Sequence, residues 1–195
     1  HPTIQAYGSH QIAVVRCYVT LTPATRLLEV GCGNGYFTAH FAQICDVFGI
    51  DISDVMLRLN PVKTTALMDA AHMDFPDASF DVVFCHETLH HAENPEAILR
   101  EMRRVCHKDA IVIEPNRNNP LMQLAMLLMP AERGARKFSP GYLRRLVSEG
   151  GFTVRESFAY GMMPIITPPA LLPLGKLFNF RQPLGWETFV FAEKR

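Results

Sequence analysis

An α/β fold with a doubly wound, mostly parallel sheet is what this sequence of 195 residues predicts, on two observations. Short apolar runs alternate with helical segments, which favours parallel strands joined by crossover helices. One run, Leu27-Leu28-Glu29-Val30, breaks into the turn Gly31-Cys32-Gly33-Asn34-Gly35, and a later run, Val47-Phe48-Gly49-Ile50, ends in Asp51. A strand, a glycine turn and a second strand ending in an acid place a nucleotide-like ligand at the carboxyl end of the sheet.

The elements follow in order. Strands are predicted at 26–30, 46–50, 65–68, 81–85 and 110–114, with helices at 36–43, 54–59 and 95–105 between them. A further helix at 139–149 has Ser139-Pro140 at its start and Gly150-Gly151 beyond its end, a conventional pair of cap signals. Residues 152–160 and 187–193 alternate enough to be two more strands. The whole chain, 1–195, reads as one domain without internal repeats.

Composition agrees and excludes some functions. A hydrophobic content of 48% with 19% charged residues is ordinary for a globular domain that buries a sizeable core. The formal net charge of zero offers no broad field for nucleic acid or an anionic surface. Cys17, Cys32, Cys45, Cys85 and Cys106 are odd in number and contain no C-x-x-C pair, which predicts reduced thiols and a cytoplasmic setting. No stretch reads as a secretory leader or reaches the roughly 20 apolar residues of a membrane span.

The turn needs glycine because Gly31, Gly33 and Gly35 can take positive φ and let the backbone come close to a ligand. A helix beginning near Tyr36 would add unpaired amides and its positive dipole end. Asp51 lies about 20 residues beyond Gly31, where an acid accepts hydrogen bonds from both hydroxyls of a ribose. A dinucleotide site would read G-x-G-x-x-G/A, but Tyr36 occupies the last of those positions.

The spacing Gly31-x-Gly33-x-Gly35, with Glu29 ahead of it, resembles the first motif of the class I S-adenosylmethionine-dependent methyltransferases. Residues 68–85, which include Phe75-Pro76-Asp77-Ala78-Ser79-Phe80-Asp81, resemble that family's third and fourth strands with their loop. Leu89-His90-His91 and the stretch Pro95 to Val105 resemble the helix that follows. The resemblance covers about residues 26 to 114 strongly. It departs at Asp74, where the family usually carries proline, and at Cys106-His107-Lys108-Asp109-Ala110, where a Lys-Pro-Gly-Gly turn is usual.

The resemblance implies a Rossmann-like fold whose last two strands form an antiparallel hairpin, and S-adenosylmethionine as cofactor. Glu29, Gly31, Cys32, Gly33, Gly35 and Asp51 would then bind it. Asp69 would take the adenine amino group, the Ala70 amide a ring nitrogen, and Ile52 and Met73 would flank the adenine faces. In this family the segment before the first strand often helps to cover the cofactor, which makes Tyr7, His10 and Arg16 contributors; packing or surface roles are the alternative.

His86-Glu87-Thr88-Leu89-His90 also matches H-E-x-x-H, which on a helix binds zinc through two imidazoles and activates water through the glutamate. The motif follows directly on the apolar run 80–85, so His86 is expected at a strand end and no metal is assigned. At the carboxyl end of the fourth strand, His86 and Glu87 are instead candidate general bases for an acceptor, with structural roles as the alternative. Helix capping or packing is expected of His90 and His91.

Two segments, 115–138 and 161–186, are too apolar for idle loops. Leu121 to Met129 reads as a methionine-rich helix, while prolines break the second segment, which includes Met162-Met163-Pro164-Ile165-Ile166. They line an apolar pocket, enlarge the core or form a dimer face. The motifs of nucleic-acid amino and cytosine methylation are missing, so the acceptor is expected to be a small apolar or aromatic metabolite and not a nucleic acid. The different-class alternatives are a zinc hydrolase and a cofactor-binding protein without catalysis; peripheral membrane contact and a homodimer stay open.

Overall fold

The computed structural model describes residues 2–161, 170 and 179–195, with side chains from Ala6 onward. Seven strands, β1 (Arg26–Val30), β2 (Asp46–Asp51), β3 (Thr65–Leu67), β4 (Phe80–His86), β5 (Cys106–Pro115), β6 (Thr153–Tyr160) and β7 (Glu187–Glu193), form one sheet in the order β3-β2-β1-β4-β5-β7-β6. Pairing is parallel from β3 to β5 and antiparallel for β5/β7 and β6/β7. The expected C-terminal hairpin is therefore present at the sheet edge.

Strand residues alternate between two apolar layers, and both are covered. Leu28, Val30, Val83, Cys85 and Val112 face a layer completed by α4 (Pro95–Val105) and α6 (Pro140–Glu149). Leu27, Val82, Phe84, Ile111 and Ile113 face the opposite layer, completed by α1 (Pro2–Arg16) and α2 (Thr38–Phe41). Burial on both faces explains why these strands read as nearly continuous apolar runs. Asn94 and Ser139 cap α4 and α6 with their side chains, each followed by proline at the first helical position. The remaining helices are α3 (Asp54–Leu59) and α5 (Pro120–Leu128).

Three elements differ from the sequence expectation. The helix at 36–43 contracts to four residues, because Gln43 and Ile44 donate to His40 and Phe41 in tighter i to i−3 turns. Helix α1 was not foreseen: Gly8 and the β-branched pair Val14-Val15 weaken its local signal, and packing of Ile12 and Val15 on the sheet supplies what propensity lacks. Strand β5 begins at Cys106, directly after α4, four residues earlier than expected.

The first apolar segment is α5 followed by a 3-10 stretch, Pro130–Lys137, and its Met122, Met126 and Ala135 form a small cluster against Trp186. Most of the second segment, including 162–169 and 171–178, lies outside the described residues.

Candidate active site

The strand order reverses between β1 and β4, and in such sheets a crevice opens beyond the strand ends at that point. Gly31 and Thr88 close its floor. Gly31 has φ of 73°, and a Cβ there would fall 2.1 Å from the Thr88 hydroxyl oxygen, so neither its conformation nor its surroundings tolerate a side chain. Two cavities meet at this glycine.

The first, about 480 Å³, is lined by Gly31, Asp51, Ile52, Met68, Asp69 and Ala70, among others. Asp51 ends β2, and its Oδ2 accepts from the Gly33 amide at 2.8 Å while its Oδ1 accepts from the Ser53 amide at 2.8 Å. Each oxygen keeps a further lone pair for a ligand hydroxyl. Asp69 accepts from the Ala71 amide at 2.8 Å; that bond and His72 beside it hold its carboxyl below the ordinary range. Ile52 is 75% exposed, an apolar side chain left standing at the cavity rim.

The second, about 350 Å³, is lined by Glu29, Gly31, Cys32, Gly33, His86 and Glu87, together with Tyr7, Phe37, Met122, Met129 and Trp186. Glu29 is buried at the end of β1. Burial raises its carboxyl to about 8, and its Oε2 has no hydrogen-bond partner. An orphaned buried carboxylate oxygen in a cavity wall is unfavourable unless a ligand donor or cation completes it.

His86 closes β4, with Nε2 at 3.0 Å from Glu187 Oε1. Burial alone would lower its pKa; the Glu187 carboxylate outweighs this, and the net shift is upward. Tyr7 and Gln11 of α1 donate to the two oxygens of the same Glu187. One buried carboxylate thus ties the amino-terminal helix, β4 and β7 together. Glu87 has a positive φ of 45°, an uncommon conformation for a residue with a side chain, and burial raises its carboxyl to about 7.

His90 is a separate system. Its Nδ1 lies 2.7 Å from Glu114 Oε2, and Glu114 Oε1 accepts from the Thr88 and Leu89 amides at 3.0 and 2.7 Å. Glu132 Oε2 stands 3.5 Å from Nε2, an ion-pair contact without hydrogen-bond alignment. Burial opposes the charged imidazole, but the two carboxylates prevail and raise it to about 9. The H-E-x-x-H segment is consequently no zinc helix: His86 ends a strand, Leu89–His91 is a 3-10 turn, and the imidazoles serve different glutamates. Among the described residues, the groups with ligand atoms within 4.8 Å of one another are His86, Glu87 and Glu187, and His90, His91 and Glu132; neither unites the two motif histidines.

Two residues expected at the cofactor lie elsewhere. Gly35, at φ of 85°, lines neither cavity and serves close packing, since a Cβ there would fall 2.2 Å from Asn60 Oδ1. Met73 is 5% exposed in the core layer, and Met68 stands in the cavity wall in its place. The positive end of α2 contributes little, as four residues build only a small dipole. Of the amino-terminal candidates, Tyr7 reaches the site, His10 bonds to Tyr160 at 3.0 Å, and Arg16 is exposed. Sequence reasoning missed Glu187 and Trp186. The available signal was an acid heading an apolar strand, as Glu29 and Glu114 also sit within apolar strands.

Comparison with known proteins agrees with this geometry. The family described as "Methyltransferase domain" matches residues 28–113. A phosphatidylethanolamine N-methyltransferase of Cereibacter sphaeroides is 38% identical over 101 residues, 47% of this chain and 50% of that protein. A ubiquinone biosynthesis O-methyltransferase of Methylococcus capsulatus is 24% identical over 84% of this chain and 77% of its own. A solved S-adenosylmethionine-dependent methyltransferase of Thermotoga maritima, described as a possible histamine N-methyltransferase, superposes with a TM-score of 0.76 at 19% identity, covering 98% of this chain and 92% of its own. The chain spans only half the length of the first of these relatives.

Residues 28–113 thus match a methyltransferase domain, and the whole sheet has the class I methyltransferase fold. The fold is shared with solved S-adenosylmethionine-dependent methyltransferases, which makes S-adenosylmethionine the cofactor to fit. The residues fit that group: an unpaired buried carboxylate oxygen on Glu29, a ribose-type acid at Asp51, and Gly33, where a Cβ would meet nothing nearer than 3.6 Å, open toward the cavity.

Proposed function

We propose that this chain transfers a methyl group from S-adenosylmethionine to a small acceptor with an apolar or aromatic body, seated in the second cavity. The observation that carries this reading is the junction at Gly31, where a cavity furnished with Asp51 and Asp69 meets one furnished with Glu87 among Phe37, Trp186, Met122 and Met129. Ligand pockets are mostly apolar with few converging polar groups. Residues 1–195 act in this reading as one domain with apolar insertions at about 115–138 and 161–186.

When bound, the cofactor supplies an activated methyl on a sulfonium. The protein's own part is then placement, exclusion of water and removal of one proton. Asp51 would hold the ribose hydroxyls, Asp69 and Ala70 the adenine edge, Ile52 and Met68 its faces, and Glu29 with Cys32 and Gly33 the amino-acid end. Glu87, with its carboxyl near 7, is poised to accept the acceptor's proton at its O–H or N–H. His86 orients the same wall from Glu187 and is the second candidate base.

Free Cys17, Cys32, Cys45, Cys85 and Cys106 support a reducing compartment such as the cytoplasm. Among the described residues, no helix is long and apolar enough to cross a membrane.

Calorimetric titration with S-adenosylmethionine, followed by transfer of labelled methyl into fractionated metabolite extracts, tests the reading. Saturable binding with label in a low-mass product is the expected outcome. Binding without transfer to any fraction would make the chain a cofactor-binding protein, and zinc-dependent hydrolysis in the absence of cofactor would replace the reading altogether.

A further inference from the structure

Helix α5 turns apolar side chains to both sides. Met122 and Met126 are buried, yet Leu121, Leu124, Leu127 and Leu128 are 48%, 50%, 67% and 69% exposed, and Met129 beyond the helix end is 52% exposed. Gln123 is the one polar side chain in the helix. Leu121, Leu124 and Leu128 fall at i, i+3 and i+7 and form a single outward stripe. A water-facing apolar stripe of this kind marks an interaction surface.

The charges around the stripe indicate its partner. Arg117 and Arg136 border Leu127 and Met126, and the Arg117 guanidinium donates to the Arg136 carbonyl at 3.1 Å. Arg133 and Lys137 are exposed on the adjoining 3-10 stretch. Between 116 and 138 there are four cations and one acid, Glu132, which is engaged with His90. Apolar side chains set among exposed arginines match an anionic lipid interface, with apolar groups at the acyl boundary and cations at the headgroups. A second copy would face the same arginines with arginines, because a two-fold interface pairs each patch with itself.

We propose that α5 is an interfacial helix that docks this chain on an anionic lipid surface, with Leu121, Leu124, Leu127 and Leu128 immersed and Arg117, Arg136 and Lys137 at the headgroups. Nine residues rise only about 14 Å, so the helix lies on the surface and does not span it. The inner side of the same segment, at Met122, Ala125 and Met129, lines the cavity that holds His86 and Glu87. Docking therefore sets the mouth of that cavity against the lipid, and an acceptor dissolved in the bilayer reaches Glu87 without crossing water. That last consequence rests on the methyl-transfer reading; the docking itself does not.

Flotation with vesicles of equal phosphatidylglycerol and phosphatidylcholine, against phosphatidylcholine alone, tests the surface. The expected result is co-flotation with the anionic vesicles, weakened at least tenfold by 0.5 M salt, as exposed charges are screened at about that ionic strength. Leu124→Glu with Leu128→Glu should abolish it, and Arg117→Gln and Arg136→Gln should each weaken it about fivefold. These side chains are exposed, so melting temperature and cofactor affinity should stay unchanged in every variant. Failure of the wild-type chain to float with anionic vesicles while it still binds cofactor overturns docking and leaves the methyltransferase reading intact. A concentration-dependent dimer that Leu124→Glu dissociates also overturns it, and assigns the stripe to a second copy. Flotation without methyl transfer leaves docking standing and removes only the lipid-dissolved acceptor.

Discussion

The two cavities that meet at Gly31 are built in different ways. The first draws on four consecutive stretches: the glycine turn, the end of β2, the segment after β3 and the turn after β4. The second shares the glycine turn and the end of β4, and adds walls from remote parts of the chain: Tyr7 from α1, Trp186 next to β7, and Met122, Met129 and Glu132 between them. Its organising group, Glu187, takes bonds from residues 101, 176 and 180 positions away. In the proposed reading the adenosine end of the cofactor rests on local turns and the acceptor on remote contacts, so the two should respond separately to substitution.

The largest effect is expected on the acceptor side. Glu187→Ala leaves Tyr7, Gln11 and His86 without their shared buried acceptor and should destabilise the chain by about 3–5 kcal/mol in denaturant unfolding. If cofactor affinity of the still-folded variant fell as steeply, the separation of the two cavities would be lost. Next, Glu87→Gln should lower methyl transfer by about 10²-fold or more while cofactor affinity holds. In the wild-type chain the rate should rise with pH through about 7, as the Glu87 carboxyl ionises to become a base. A flat profile in that range would pass the proton to His86 or to no protein group.

On the cofactor side, Asp51→Ala should weaken S-adenosylmethionine binding by about 1.5–3 kcal/mol, the scale of hydrogen bonds to a charged group, with a smaller loss of stability because the Gly33 and Ser53 amides lose their acceptor. Asp69→Ala should cost about 0.5–1.5 kcal/mol of binding, because its side chain is 51% exposed and the Ala70 backbone remains. Equal losses from the two variants would contradict the assignment of ribose and adenine roles.

The smallest effect concerns pH and stability without ligand. Glu29 and Glu87 have folded-state values raised to about 8 and about 7, so ionising them as pH rises disfavours the folded state. His90 is raised to about 9, so its contribution is complete below about 6.5 and is lost as pH climbs through 9. All three act in one direction, and the melting temperature should fall between pH 6.5 and 9. Saturating cofactor should reduce that fall if it supplies the donor Glu29 lacks; an unchanged slope would detach Glu29 from the cofactor.

Much of the fold was legible because its signals are local. Leu27 to Val30 announce β1, Asn94-Pro95 and Ser139-Pro140 start their helices, and α4 runs over the residues expected of it. The place of Asp51 at the end of β2, beside the glycine turn, was legible for the same reason, since a turn and an acid at fixed spacing carry their own stereochemistry. Met73 and Gly35 were misplaced because which neighbour of a turn faces a cavity is set by packing: Met73 enters the core beneath α4, and Gly35 abuts Asn60.

What the sequence determined by itself is a mostly parallel α/β sheet, its glycine turn and the order of its elements, all encoded in periodicity and short-range spacing. Only the tertiary structure decided that His86 and His90 belong to different glutamates, that Glu187 gathers Tyr7, Gln11 and His86, and that α5 leaves a leucine stripe in water. The reason lies in the strand order. Because β7 runs antiparallel beside β5, its first residue arrives at the same edge as the carboxyl ends of β4 and β5, a juxtaposition that no spacing along the chain records.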